Sequence, residues 1–133
     1  MAAIGHLLRA PFHATEPPTA VYYSPWYPRA GNLAVFQCDV IAFHGIESFS
    51  IDVQTKNSED DDAVGNNASN KLVTQAITLT ANTRTPITAG SSLGAATDGF
   101  EELYRFKISL QAQANTRGGF VHWRMLNPSW LSN

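Results

Sequence analysis

Residues 102–111 read Glu-Leu-Tyr-Arg-Phe-Lys-Ile-Ser-Leu-Gln, and the alternation in this stretch decides the fold. Tyr104, Phe106, Ile108 and Leu110 fall on one side of an extended chain, and Arg105, Lys107, Ser109 and Gln111 fall on the other. Successive side chains of a strand point to opposite faces, so a period of two with one apolar phase marks a strand with one face in a core. The same period recurs elsewhere. In 33–43 the even positions Ala34, Phe36, Cys38, Val40 and Ala42 are all apolar while Gln37 and Asp39 interrupt the odd ones, which predicts Cys38 inward and Asp39 outward. After His44-Gly45-Ile46-Glu47, Phe49, Ile51 and Val53 alternate with Ser48, Ser50, Asp52 and Gln54, and the short glycine-containing connection predicts a hairpin with the preceding strand. Val73, Ile77 and Leu79 mark a further strand up to Thr80, and 84–88 a short one. Val121, Trp123 and Met125, alternating with His122 and Arg124, mark the last. With no 3.6-residue pattern, no heptads and no tandem repeat, six or seven short strands predict an all-β chain: a single antiparallel β-sandwich or jelly-roll domain.

Residues 1–32 hold five of the seven prolines (Pro11, Pro17, Pro18, Pro25 and Pro28) and no sustained periodicity. Proline offers no N–H to a ladder and resists helix, so this stretch reads as an extended N-terminal arm carrying one short strand around Val21–Tyr23, ahead of a β-sandwich domain at 33–133. The polar run KNSEDDDAVGNNASN (56–70) and the small-residue run AGSSLGAATDG (89–99) read as loops.

The 133 residues suffice for one core, and charged residues make up only 15%, below the usual share, so Ser, Thr, Asn and Gln must cover much of the surface. A formal net charge of −2 gives no basic field to attract phosphate backbones, which argues against nucleic acid as partner. Cys38 is the single cysteine, so an internal disulfide is impossible and packing must hold the fold. The opening MAAIGHLLRAPFHA lacks the apolar stretch of a signal peptide, and no run reaches the ~20 apolar residues needed to cross a bilayer as a helix. The expectation is a chain made in a cytoplasm, with no membrane partner.

No catalytic residue, cofactor or metal site is expected. His6, His13, His44, His122 and Cys38 show no metal-ligand spacing, and strand phase buries the Cys38 thiol among apolar neighbours, which raises its pKa. The run Glu59-Asp60-Asp61-Asp62 offers calcium's preferred oxygen ligands but lacks the order of a calcium loop, and adjacent like charges mostly stay solvated. Asp39, Asp52, Asp98, Glu101 and Glu102 have no spacing that gathers two of them in a cleft; cross-strand pairing with Arg105, Lys107 or Arg124 accounts for them more simply. Gly90, Gly94 and Gly99 do not make a phosphate loop, having no lysine and no following helix.

Four large rings in six residues, Tyr22, Tyr23, Trp26 and Tyr27, form the most unusual feature. They can close one end of the sandwich as a lid, anchor a partner subunit as buried Trp and Tyr do at interfaces, or stack on sugars, and Trp130 poses the same choice. Tyr22, Tyr23, Trp26, Tyr27 and Trp130 are therefore the candidate protein-interface residues.

An apolar strand (LAVFQCDVIAFHG), a strand with a polar outer face (SFSIDVQTKNSED), a late strand with a basic outer face (ELYRFKISL) and the closing segment GGFVHWRMLNPSWLSN together resemble small virion proteins of tailed bacteriophages, in particular head decoration or capsid cement proteins. The resemblance covers 33–131 as a pattern and includes no catalytic or ligand motif. It implies a non-enzymatic structural protein on the capsid surface, trimeric or another small homo-oligomer, binding the major capsid protein or another virion protein across subunit junctions. The Pro-fixed arm would then act as a strap, so that removing residues 1–28 leaves a folded body with weakened attachment. Two other functions fit the residues: a carbohydrate- or receptor-binding module using Trp26, Tyr27 or Trp130 as platforms with calcium on the acidic loop, and a tail or neck component.

Overall fold

The structure, a computed structural model, describes residues 4–10 as backbone and residues 19–61, 71–90, 99–113 and 119–131 in full. It is all-β. The strands are β1 (Ile4–Ala10), β2 (Thr19–Tyr23), β3 (Tyr27–Pro28), β4 (Leu33–His44), β5 (Ile46–Lys56), β6 (Lys71–Ala76), β7 (Thr83–Gly90), β8 (Leu103–Ala112), β9 (Gly119–Met125) and β10 (Ser129–Leu131). Among the described residues there is no helix.

Every pairing is antiparallel, and the strands form two sheets. In the first, β9 lies between β1 and β4, and β7 pairs with the other edge of β4. β10 takes over the Leu33–Val35 end of β4 that β9 leaves free. In the second, the order is β2–β8–β5–β6, with β3 continuing along the β2 edge of β8. Each sheet thus has four strand positions, ordered 1-9-4-7 and 2-8-5-6. A chain that moves between two four-position sheets in this sequence is a jelly roll.

The alternation explains the layers. Phe36, Cys38, Val40, Ile87, Val121, Trp123 and Met125 of the first sheet face Phe49, Ile51, Val53, Tyr104, Phe106, Ile108 and Leu110 of the second, and all are buried. One end of this core is a cluster of rings. Phe36 lies 5.5 Å from Tyr104, 5.0 Å from Phe106 and 6.1 Å from Trp130, centroid to centroid, and Trp130 lies 5.1 Å from Phe100.

The predicted hairpin between β4 and β5 is not one. The two strands lie in different sheets, and Gly45 between them, at φ 68°, is a corner that carries the chain across the sandwich. A hairpin needs two central residues to reverse within a sheet; one glycine turns the chain but leaves its strands unpaired. Gly119, where β9 begins in the first sheet, packs against the same corner, so close that a Cβ there would stand 2.5 Å from the His44 carbonyl oxygen.

Two further expectations shift. The inward phase of β4 does not continue to Ala42, because Ile41 forms a β-bulge: Val40 pairs with Trp123 and Ala42 with His122, which moves Phe43 to the inner face and Ala42 to the outer. The strand expected through Thr80 ends at Ala76, after which the Ile77 N–H donates to the Phe49 carbonyl at 2.8 Å and the chain turns away through Asn82 at φ 62°.

Where it is described, at 4–10 and from 19 on, the stretch read as an arm is extended and docked. Residues 4–10 pair along β9, and residues 19–28 pair along β8. Pro25 cannot donate to the ladder, and the chain accommodates it through its neighbour. The Ser24 N–H donates to the Phe106 carbonyl at 2.9 Å, while the Phe106 N–H donates to Ser24 Oγ at 2.8 Å. Four residue steps from Tyr23 to Tyr27 oppose three from Lys107 to Tyr104, so the break inserts one residue and reverses the phase.

Candidate interaction surface

This reversal sorts the aromatic cluster. Tyr22 pairs with Ile108 and Tyr27 with Tyr104, both inward-facing positions, so both tyrosines pack against the core. Tyr23 pairs with outward Lys107, and Trp26 lies on the same outer face. Trp130 packs against the core across Phe36, Phe100 and Tyr104. Of the five candidate residues, Tyr23 and Trp26 thus share a surface, whereas Tyr22, Tyr27 and Trp130 act mainly as a lid.

Beneath Tyr23 and Trp26 lies a layer of buried polar side chains. The Arg105 guanidinium carbon stands 4.3 Å from the Tyr23 ring centroid and 4.5 Å from that of Trp26, and Lys56 Nζ stands 5.0 Å from the Trp26 ring. Arg105 Nε donates to Gln54 Oε1 at 2.9 Å. Gln54, Lys56 and Arg105 are 2%, 5% and 7% exposed although they occupy the outer face of a sheet; both rings lie over Arg105, Trp26 also lies over Lys56, and Gln54 is bonded to Arg105. Cation–π contacts of this kind contribute about 0.5–2 kcal/mol each, more as water is excluded. They also fix the rings. Val21 and Tyr23 remain 48% and 44% exposed beside this layer, and Leu131, elsewhere, 50%. Sequence reading identified the rings but not Val21, Gln54, Lys56 and Arg105 as their setting; the basic outer phase of β8 was the available signal.

The other candidates fall into structural roles. Cys38 is fully buried, and burial, with a smaller effect from the Asp39 charge, pushes its thiol up to about 12, so it stays protonated at neutral pH. Burial and the neighbouring Tyr27 likewise push Tyr104 up to about 12. His44 stacks on Phe120 and His122 is exposed; His13, Asp62, Asp98 and Gly94, and the side chain of His6, lie outside the described residues. The Asp60 carboxylate accepts from the Asn57 N–H at 3.1 Å and so closes its own turn, and Glu102 accepts from Ser58. Among the described residues no group of three His, Cys, Asp or Glu side chains is gathered to hold a metal.

Asp39 is held by two arginines from the strands on either side. Arg84 donates through Nε at 2.6 Å and Nη2 at 3.2 Å, and Arg124 through Nε at 3.1 Å. The Arg84 hydrogen bonds hold the carboxyl below the usual range against the opposing effect of burial, with Arg124 adding to them. A carboxyl whose folded-state pKa is depressed contributes stability above its unfolded value, about 3.9, and loses it as pH falls through the folded value. The stability difference between the wild type and Asp39→Asn, from urea unfolding, is therefore expected to be widest at pH 7 and to narrow toward pH 2. A gap that stays constant with pH contradicts this.

The fold and this face define a class: a jelly-roll domain presenting a fixed aromatic pair over buried cations. No family model matches the chain, and no curated protein and no solved structure is significantly similar to it.

Proposed function

We propose that the chain is a non-enzymatic virion structural protein, a capsid decoration or cement protein that binds as a homo-oligomer across major capsid protein subunits and stabilises the shell. The observation that carries this reading is the outer face of the β2–β8–β5–β6 sheet, where Val21 and Tyr23 are exposed and Tyr23 and Trp26 are held on Arg105. Trp, Tyr and Arg dominate binding energy at protein interfaces, and rings already fixed lose little entropy on docking. Jelly rolls serve in viral capsid and lectin domains, an analogy at the level of fold that agrees with the resemblance of the sequence to phage head proteins. Reinforcement then comes from apolar area removed from water at each subunit junction, repeated over a symmetric shell.

Co-sedimentation with shells of the cognate major capsid protein tests this. Saturable binding is expected, weakened at least tenfold by Val21→Ser combined with Tyr23→Ala, with circular dichroism of the double variant checking that the fold is kept. Absence of binding, or equal binding by the double variant, refutes it.

One observation favours the carbohydrate-binding reading. A cleft of about 250 Å³ between the edges of the two sheets is lined by Tyr27, Pro28, Tyr104, Asn127, Pro128 and Trp130, which combines ring surfaces with a polar amide. Saturable binding on a glycan array, lost in Tyr27→Ala, is the result that selects it over the capsid reading.

A further inference from the structure

The opposite face of the sandwich, the outer side of β7, β4 and β9, carries a second polar centre that the proposed docking face does not use. The ladder pairs Asp39 with Arg84 on one side and with Arg124 on the other, so the three side chains stand in one row across three strands. They line a cleft of about 430 Å³ together with Val40, Ile41 and Asn82. Ile41 is the bulge residue of β4, and Asn82 adopts the left-handed conformation at the start of the β7 edge. Bulges recur beside functional sites because they re-aim neighbouring side chains.

The hydrogen bonds are unevenly spent. Asp39 is 12% exposed and turns both oxygens to the arginines, whereas the Arg84 and Arg124 side chains are 53% and 47% exposed. A guanidinium carries five N–H donors. Arg84 commits Nε and Nη2 to Asp39 and Arg124 commits Nε alone. Among the described residues, Arg84 Nη1 and both terminal nitrogens of Arg124 hold no hydrogen bond. Asp39 therefore works as a positioning carboxylate: it fixes two planar forks whose remaining donors border one cleft. The row has two positive charges and one negative, so one more negative charge brings it to neutrality.

We propose that this cleft is a carboxylate-binding site, in which the free donors of Arg124 and Arg84 take up a single carboxylate, either that of a small organic acid or that of an acidic side chain on a partner. Charge balance favours a monoanion over a dianionic phosphate, and the planar fork of Arg matches a carboxylate in two-point contact.

The test is a titration of the full chain with sodium acetate, a capped glutamyl tripeptide, inorganic phosphate and sodium chloride at matched ionic strength, read from the arginine guanidinium resonances. Saturable shifts at Arg84 and Arg124 with acetate are expected. Arg124→Gln, which keeps the two-point Arg84–Asp39 pair, should weaken them at least tenfold. Arg124→Lys, which keeps the charge but not the fork, should do nearly the same, and it serves if the Gln variant fails to fold. Binding by acetate alone assigns a small acid, and binding by the tripeptide as well assigns a side chain. Shifts that chloride reproduces, phosphate binding tighter than acetate, or wild-type affinity in both variants overturns the proposal.

Discussion

A chain lacking residues 1–28 is expected to lose its cooperative fold. The deletion removes β1 from the edge of β9 and β2 and β3 from the edge of β8, so both sheets lose a strand position at once. Tyr22 and Tyr27 leave the core with them. The newly bared β8 edge runs alongside Phe106, Ile108 and Leu110, and an unpaired, regular, apolar edge recruits other chains. Domains of this size are stable by only about 5–15 kcal/mol, a narrow margin against the loss of two core tyrosines and an edge strand from each sheet. Circular dichroism and gel filtration should show no sharp thermal transition and elution as large aggregates. A detachable strap predicts the opposite: a monomer that melts cooperatively within a few degrees of the full chain.

Phe36→Ala is expected to be the most damaging single substitution. The ring is fully buried on β4 and touches Tyr104 and Phe106 of the opposite sheet as well as Trp130. Truncating a buried Phe costs about 3–5 kcal/mol, the transfer of the ring plus the cavity it leaves. At about 3–5 °C per kcal/mol for a chain of this length, Tm should fall by about 10–25 °C. Val21→Ser, on the exposed face, should change stability by less than about 0.5 kcal/mol. A fall of only a few degrees for Phe36→Ala contradicts the packing described for the two sheets.

The layers of the fold were legible because alternation is a local signal: Tyr104, Phe106, Ile108 and Leu110 announce their face wherever the strand goes. Pairing is not local. The single Gly45 between two alternating runs suits a sequence-adjacent hairpin, yet each run finds its partners at distant positions, β4 with β7 and β9, and β5 with β6 and β8. Pro25 and Pro28 signalled extension but said nothing of docking, because Ser24 supplies through its hydroxyl the acceptor that the Pro25 break takes from the ladder. For the candidate surface, the rings were visible and their faces were not. One inserted residue at 24–26 decides that Trp26 covers Arg105 while Tyr27 joins the core, and nothing in the spacing of rings alone reports it. Arg84 escaped notice as a partner of Asp39 because that pairing depends on the register of β7 against β4.

Oxidative footprinting of the protein free and bound to shells examines the proposed attachment most directly. Tyr23 and Trp26 should be shielded on binding, with Trp130 labelled to the same extent in both states. Shell-bound protein in which Tyr23 and Trp26 are labelled as heavily as in the free chain would contradict attachment through this face.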